Sequence, residues 1–172
     1  MANKSKDQQA VLAVADAVGG LMEFWGFKRN MGRMWTVLYL APEPLSAAEL
    51  ADRLSLSAGA VSMTASALAR WGVVSKVSRP GERRDYYQPE TNIWKMVSRV
   101  FRDRELKQID VAIEAFQIAR AALRERLAAA PAEERHALEF AAGRIDGLFD
   151  LAQLGKRILS GLLAENPLRD LG

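Results

Sequence analysis

Cysteine is absent from this chain and histidine occurs once, at His136. The first absence excludes disulfides, zinc fingers, thiolate nucleophiles and thiol redox switches, and the second removes most other catalytic and metal arrangements. His136 stands among Glu133, Glu134, Arg135 and Glu139 on an expected solvated helix turn, without the partners an enzyme site needs. No catalytic residue, cofactor or metal is therefore expected. No run of eighteen apolar residues is present, so no membrane-spanning helix is expected. The residues after Met1 lack the apolar core and small-residue cleavage site of a signal peptide, which sets the expectation of a cytoplasmic protein. What the chain does have is apolar content, 49% of its residues, as a folded protein needs, and a length of 172 residues, enough for one compact domain or for a small head plus a dimerising helical part.

Charge is unevenly placed. Residues 1–69 carry six basic and six acidic side chains, residues 70–107 carry ten and five, and residues 108–172 carry eight and ten. A net charge of +3 thus hides a local basic excess. Phosphate binding needs such a footprint, because affinity comes largely from displacing counterions along a basic face.

The segment from Leu45 to Arg84, which enters this basic region, predicts a helix-turn-helix followed by a β-wing. Ser46-Ala-Ala-Glu49 reads as a capping box that starts a helix with Leu50, Ala51 and Leu54 inward. Ser55-Leu56-Ser57 breaks the period, with serine where the turn usually has glycine. A second helix then starts at Ser57, with Val61, Ala65 and Leu68 on its apolar face and Gly72 at its end. Its opposite face carries Gly59, Ser62, Met63, Ser66 and Arg70, the expected reading surface. Ala51 is small enough for the close crossing that two helices joined by a short turn require.

After Gly72 the pattern alternates through Val73 to Ser78, turns at Arg79-Pro80-Gly81-Glu82 as a type II turn requires, and returns through Arg83 to Gln88. Lys76, Arg79, Arg83 and Arg84 are the wing cations, suited to a phosphate backbone or a narrow minor groove. An ordinary solvated hairpin is the alternative. The expected DNA-contact set is therefore Ser46, Ser57, Gly59, Ser62, Met63, Ser66, Arg70, Lys76, Arg79, Arg83 and Arg84.

The flanks read as helices. Val11, Val14, Val18, Met22 and Trp25 share one face, with a stop at Gly26-Phe27. Asn30 is the expected cap of a second helix with Met31, Met34, Trp35 and Leu38 inward, Leu40 being a further candidate, ending before Pro42 and Pro44. From Thr91 to Ala129 neither Pro nor Gly interrupts, predicting one helix of ~60 Å at ~1.5 Å per residue. Pro131 is expected at the first position of a last helix, where Leu138, Ala141, Ile145, Leu148, Ala152, Gly155, Leu159 and Leu162 form a heptad seam. Phe149, Leu151, Leu154 and Ile158 widen that surface, so the helix needs two partners: the long helix of its own chain and a second subunit. Purely intramolecular packing is the alternative. The expected organisation is residues 1–29 as an N-terminal helix of the dimer body, 30–90 as the winged head, and 91–172 as the helical dimerisation region.

Taken together, Met31-Gly-Arg-Met-Trp35, Leu45-Ser-Ala-Ala-Glu-Leu-Ala51, Leu56-Ser-Ala-Gly-Ala-Val-Ser-Met63, Leu68-Ala-Arg-Trp-Gly-Val-Val74 and Pro80-Gly-Glu-Arg-Arg-Asp-Tyr-Tyr87 resemble the GbsR branch of the MarR-like winged-helix regulators. The resemblance implies a mainly α fold with a short β-wing, a homodimer built on terminal helices, and a palindromic double-stranded DNA operator. The resemblance implies a position that is often lysine where this chain has Ala58, which shifts weight onto Ser57, Ser62, Ser66 and the wing. It also implies a repressor released by a small-molecule effector of the compatible-solute type. A choline-like cation suits an aromatic cage, for which Trp25, Trp35, Tyr39, Tyr86, Tyr87 and Trp94 are the candidates, although aromatics at such spacing are also ordinary core. A winged-helix adaptor that binds protein instead of DNA is the other function class, and the arginine wing favours DNA.

Overall fold

The structure, a computed structural model, describes residues 2–165, with side chains from residue 6 onward. The remaining C-terminal residues of the expected 91–172 region lie outside the described residues. The chain divides into two compact units, Met1–Met96 and Val97–Gly172.

The first unit is a winged helix-turn-helix with one added helix. Helix α1 (Ala2–Phe24) leads to α2 (Arg29–Tyr39), then to strand β1 (Leu45–Ser46), α3 (Ala47–Leu54) and α4 (Ala58–Arg70). Strands β2 (Val74–Ser78) and β3 (Asp85–Pro89) make the wing, and α5 (Ile93–Val100) follows. The sheet has three antiparallel strands in the order β1-β3-β2. Sequence reasoning missed β1, because two residues carry no alternation to detect; it exists only because β3 offers Tyr86 and Tyr87 as partners to Ser46 and Leu45.

The core lies between α2, α3 and α4. Met34, Val37, Leu38, Leu50, Leu54, Val61 and Leu68 are almost fully buried and are joined there by Val74 and Tyr87 of the sheet. Burying each such aliphatic side chain contributes roughly 1.5–3 kcal/mol. Buried Thr36 is satisfied by its own helix, its hydroxyl donating to the Gly32 carbonyl at 2.8 Å.

Helix ends follow the capping residues closely. Ser46 caps α3 in a complete capping box, and Ser57 caps α4 by accepting from the Ala60 N–H at 3.2 Å. Gly72 ends α4 at φ 65°, where the Val73 N–H reaches the Leu68 carbonyl and the Gly72 N–H reaches that of Ala69. Ser55 does the same for α3 at φ 54°, the one non-glycine with positive φ among the described residues. Two caps differ from expectation. Helix α2 is capped by Lys28, with no side-chain hydrogen bond, and Asn30 lies inside the helix. Pro131 is the cap of the last helix rather than its first residue.

The N-terminal helix, expected with the dimer body, packs against α2 within the first unit, where Gly32 meets the backbone of Val18 and Gly19. Its other face leaves Val14, Leu21 and Phe24 half to largely exposed.

The second unit is a helical hairpin of α6 (Lys107–Ala129) and α7 (Ala132–Ala164). The expected uninterrupted helix from Thr91 is interrupted after all: Phe101–Leu106 form a π-helical segment between α5 and α6. Neither Pro nor Gly marks it, so sequence could not show it. Hairpin packing is braced by Arg120 to Asp146, Lys156 to Asp110 at 2.6 Å, and the Arg120 guanidinium 4.3 Å from the Phe149 ring centre.

Candidate nucleic-acid interface

Helix α4 presents Gly59, Ser62, Met63, Ser66 and Arg70 to solvent while Val61, Ala65 and Leu68 are buried behind them. Met63 is 66% exposed. A Cβ built on Gly59 would meet nothing within 4 Å, so this point of the helix is open to close approach. Ser57 stands exposed at the N-terminus of α4; its oxygen accepts from Ala60, which leaves its hydroxyl proton available to an incoming oxygen. Arg70 makes no hydrogen bond or ion pair among the described residues.

Ser46 requires a correction. It is 5% exposed, its hydroxyl donates to the Glu49 carboxylate at 2.6 Å and accepts from the Glu49 N–H at 3.3 Å, and its own N–H donates to Glu49. It is a cap, with nothing left for a phosphate. The same hydrogen bonds, that of the Ser46 hydroxyl first, hold the Glu49 carboxyl below its ordinary range.

The wing turns as its sequence requires: Gly81 has φ 82°, and the Glu82 N–H closes the turn onto the Arg79 carbonyl at 3.1 Å. Its cations are not equivalent. Arg83 and Arg84 are exposed and make no hydrogen bond or ion pair among the described residues. Lys76 pairs with Asp85 at 2.8 Å, an exposed ion pair that raises the lysine's pKa and that a phosphate can replace at little cost. Arg79 is engaged on three sides, by the Pro44 carbonyl at 3.3 Å, the Glu43 carboxylate at 3.5 Å and the Tyr86 ring at 4.4 Å. Tyr86 in turn donates its hydroxyl hydrogen bond to Glu82, which raises the phenol's pKa.

Beside α4 lies a cleft of 670 Å³. One wall is the solvent-facing side of α4, with Ser62, Met63, Ser66 and Arg70; the other is the α1–α2 turn and the start of α2, with Phe27, Lys28 and Asn30. Phe27 meets Trp71 edge to face at 5.3 Å, which anchors the turn against the end of α4. Lys28 and Asn30 are thus neighbours of the expected reading surface that sequence reasoning missed. Their only signal was a basic residue at a helix start.

The aromatic residues named for a ligand cage have different surroundings. Tyr86 and Tyr87 are each 6% exposed on opposite faces of β3, Tyr86 against Arg79. Trp35 stacks on Tyr39 at 4.8 Å and donates its ring N–H to the Glu90 carbonyl. Neither the 670 Å³ cleft nor the 280 Å³ cleft lined by Asp7, Val11, Val37 and Asp52 is bordered by any of the six.

In the second unit the expected dimer seam is divided. Ile145, Ala152 and Leu159 are half-buried on the side of Phe149 and Lys156, which face α6, together with Leu138. Ala141 and Gly155 are also half-buried, whereas Leu148 and Leu162 are 49% and 52% exposed. The strongly exposed apolar row on α7 is Phe140, Leu151, Leu154 and Ile158, with open space at Gly147. The heptad period was legible, but the residues nearest α6 fill one face of the hairpin, Phe149 among them, while Leu151, Leu154 and Ile158 of the widening set lie on the other.

Among the described residues no group of His, Asp and Glu is placed to hold a metal ion, and no helix is long and apolar enough to cross a membrane. Comparison with known proteins agrees with the geometry. Residues 25–85 match the MarR family. The HTH-type transcriptional regulator MmpR5 of Mycobacterium tuberculosis is 31% identical over 84 residues, 48% of this chain and 50% of that one, so the chain spans about half the length of the curated relative it matches. A crystal structure of a transcriptional regulator, 24% identical, superposes with a TM-score of 0.53 over 90% of this chain and 96% of that one, a likeness of fold. The family and these relatives are transcriptional regulators, not enzymes.

Proposed function

We propose that this chain, whose residues 25–85 carry a MarR-family winged helix, is a transcriptional regulator that binds double-stranded DNA as a homodimer. The observation that carries the reading is the pairing of an open, nearly uncharged recognition face with exposed, unpaired arginines at the wing tip. Helix α4 enters a major groove, its N-terminal N–H groups and Ser57 on phosphate and Ser62, Met63 and Ser66 near base edges. Small polar and apolar side chains favour thymine methyls and sequence-dependent shape over dense hydrogen bonding. Arg70 and Lys28 flank the groove for phosphates, and Arg83 and Arg84 supply the wing contact.

The dimer reading rests on the second unit. Ile113, Ala130 and Leu163 are the only buried apolar side chains of its described residues, while Val111, Ile118, Phe140, Leu151 and Ile158 are each more than 60% exposed. Two helices cannot bury so little and stay folded alone; a second copy on the exposed face of α7 supplies the missing core and sets two heads on a palindromic operator.

The finer form of this function is a GbsR-like repressor released by a small-molecule effector such as a choline-like cation. The motifs of the head support it, and the stacked Trp35–Tyr39 pair, with Tyr39 37% exposed, offers a ring face for such a cation. Titration with choline and betaine, read by tryptophan fluorescence and operator release, checks it; no response to either removes the assignment.

The decisive test of DNA binding is its salt dependence. Replacing both Arg83 and Arg84 by Ala removes two phosphate contacts, so the slope of log affinity against log salt falls by about 1.8 and the wild-type advantage shrinks roughly 12-fold between about 50 and 200 mM. Affinity and slope that match the wild type, with a normal thermal transition, refute the wing contact. Absence of any salt-sensitive DNA binding by the wild type favours the protein adaptor instead.

A further inference from the structure

We propose that Arg79, Glu82 and Tyr86 form a latch that fixes the wing against the helix-turn-helix, and that Arg79 is a positioning residue rather than a phosphate contact. The proposal as it concerns DNA rests on the function given above; the latch itself is a property of the free protein. A ribbon of two five-residue strands holds its own shape only marginally, so the direction of its tip must be set by something beyond the ladder. Three contacts supply this. The Arg79 guanidinium bridges from the turn to the Pro44 carbonyl and the Glu43 carboxylate, in the loop that leads into β1. It lies flat enough on Tyr86 to bring its central carbon 4.4 Å from the ring centre. Tyr86, buried at 6% exposure, is opposite Ser46 in the β1–β3 pair and sends its hydroxyl to Glu82 across the turn.

The chain of contacts therefore runs from Glu82 at the tip, through the Tyr86 ring and the Arg79 guanidinium, to the residues immediately before the cap of α3. It ties the tip to the element that starts the helix-turn-helix. Arg83 and Arg84 follow Glu82 directly, so their direction is that of the latched turn. Glu82 also gains a reason to be there. A carboxylate beside a phosphate-binding tip opposes binding by its charge alone, whereas as acceptor for Tyr86 it holds the arginines in place.

Three variants separate the latch from simple charge effects. Tyr86→Phe changes no charge and keeps the ring; the latch requires several-fold weaker DNA binding at every salt concentration with an unchanged salt slope. Glu82→Ala removes a negative charge from the tip: charge alone demands tighter binding, and the latch demands weaker. For Arg79→Met, a phosphate contact demands that the slope fall by about 0.9, while the latch leaves it unchanged and makes the Arg79→Met, Tyr86→Phe double variant no worse than the weaker single one. Hydrogen exchange of the free protein is read alongside, with faster exchange at residues 79–84 and unchanged exchange in α3 and α4 expected for Tyr86→Phe. A fall in slope for Arg79→Met together with wild-type behaviour of Tyr86→Phe overturns the proposal. If the wild type binds no DNA, the function above fails and exchange alone decides the latch: unchanged wing exchange in Tyr86→Phe overturns it.

Discussion

Adding one methyl group at Gly32 and one at Gly59 should have opposite effects, because one helix glycine is enclosed by backbone and the other faces open space. A Cβ on Gly32 would lie 2.8 Å from the Val18 carbonyl oxygen, 2.9 Å from the Gly19 Cα and 2.9 Å from the Met22 Cγ. Met22 can rotate away, but two of the three atoms are backbone of α1 and cannot yield unless the helices part. Overpacking of this kind costs typically 1–3 kcal/mol, and backbone neighbours place it in the upper half of that range. Alanine returns up to about 1 kcal/mol of helix propensity, so Gly32→Ala should destabilise by about 1–2 kcal/mol. At Gly59 only the propensity gain remains, and it is a few tenths to about 1 kcal/mol in a first turn. The two variants should then differ by roughly 1.5–3 kcal/mol, or about 6 °C or more in Tm for a unit near 100 residues. Thermal unfolding followed by far-ultraviolet circular dichroism measures this. DNA affinity should order them the other way, since the methyl at position 59 stands on the recognition face and the one at position 32 does not. Gly32→Ala as stable as Gly59→Ala would refute the close crossing of α1 and α2.

Ser55 occupies the left-handed region without being glycine. Ser55→Val should therefore lose about 1–2 kcal/mol and Ser55→Gly none, and equal losses in the two by urea titration would contradict the turn geometry. Ser46→Ala should cost roughly 0.5–2 kcal/mol at pH 7 by removing the α3 cap. The Glu49 carboxyl is depressed in the folded state, so its contribution is complete above the ordinary carboxylate value and lost as pH falls through the folded one. The gap between wild type and Ser46→Ala should accordingly narrow below about pH 4, and a gap that widens there would contradict the capping box. Leu151→Glu places a charge on the exposed row of α7 and should shift the protein toward monomer by analytical ultracentrifugation, with weaker operator binding; an unchanged dimer would remove that face from the interface.

Much of the first unit was legible because its signals are local. Ser46, Glu49, Ser57, Gly72 and the Pro80-Gly81 turn each act through hydrogen bonds or dihedral angles within a few residues, so sequence spacing is enough to place them. The solvent-facing side of α4 was legible for a related reason: with Val61, Ala65 and Leu68 assigned to the core, helical periodicity leaves Ser62, Met63 and Ser66 outside. Strand β1, the cleft wall at Lys28 and Asn30 and the engagement of Arg79 all depend on partners tens of residues away. The heptads of α7 show the same boundary. Period alone established that the helix has two apolar faces, but which face meets α6 depends on where Asp110 and Arg120 stand opposite Lys156 and Asp146. By itself the sequence determined the helix-turn-helix, the wing and the basic bias; tertiary structure decided which cations remain free, because only packing across the chain shows which charges are already paired.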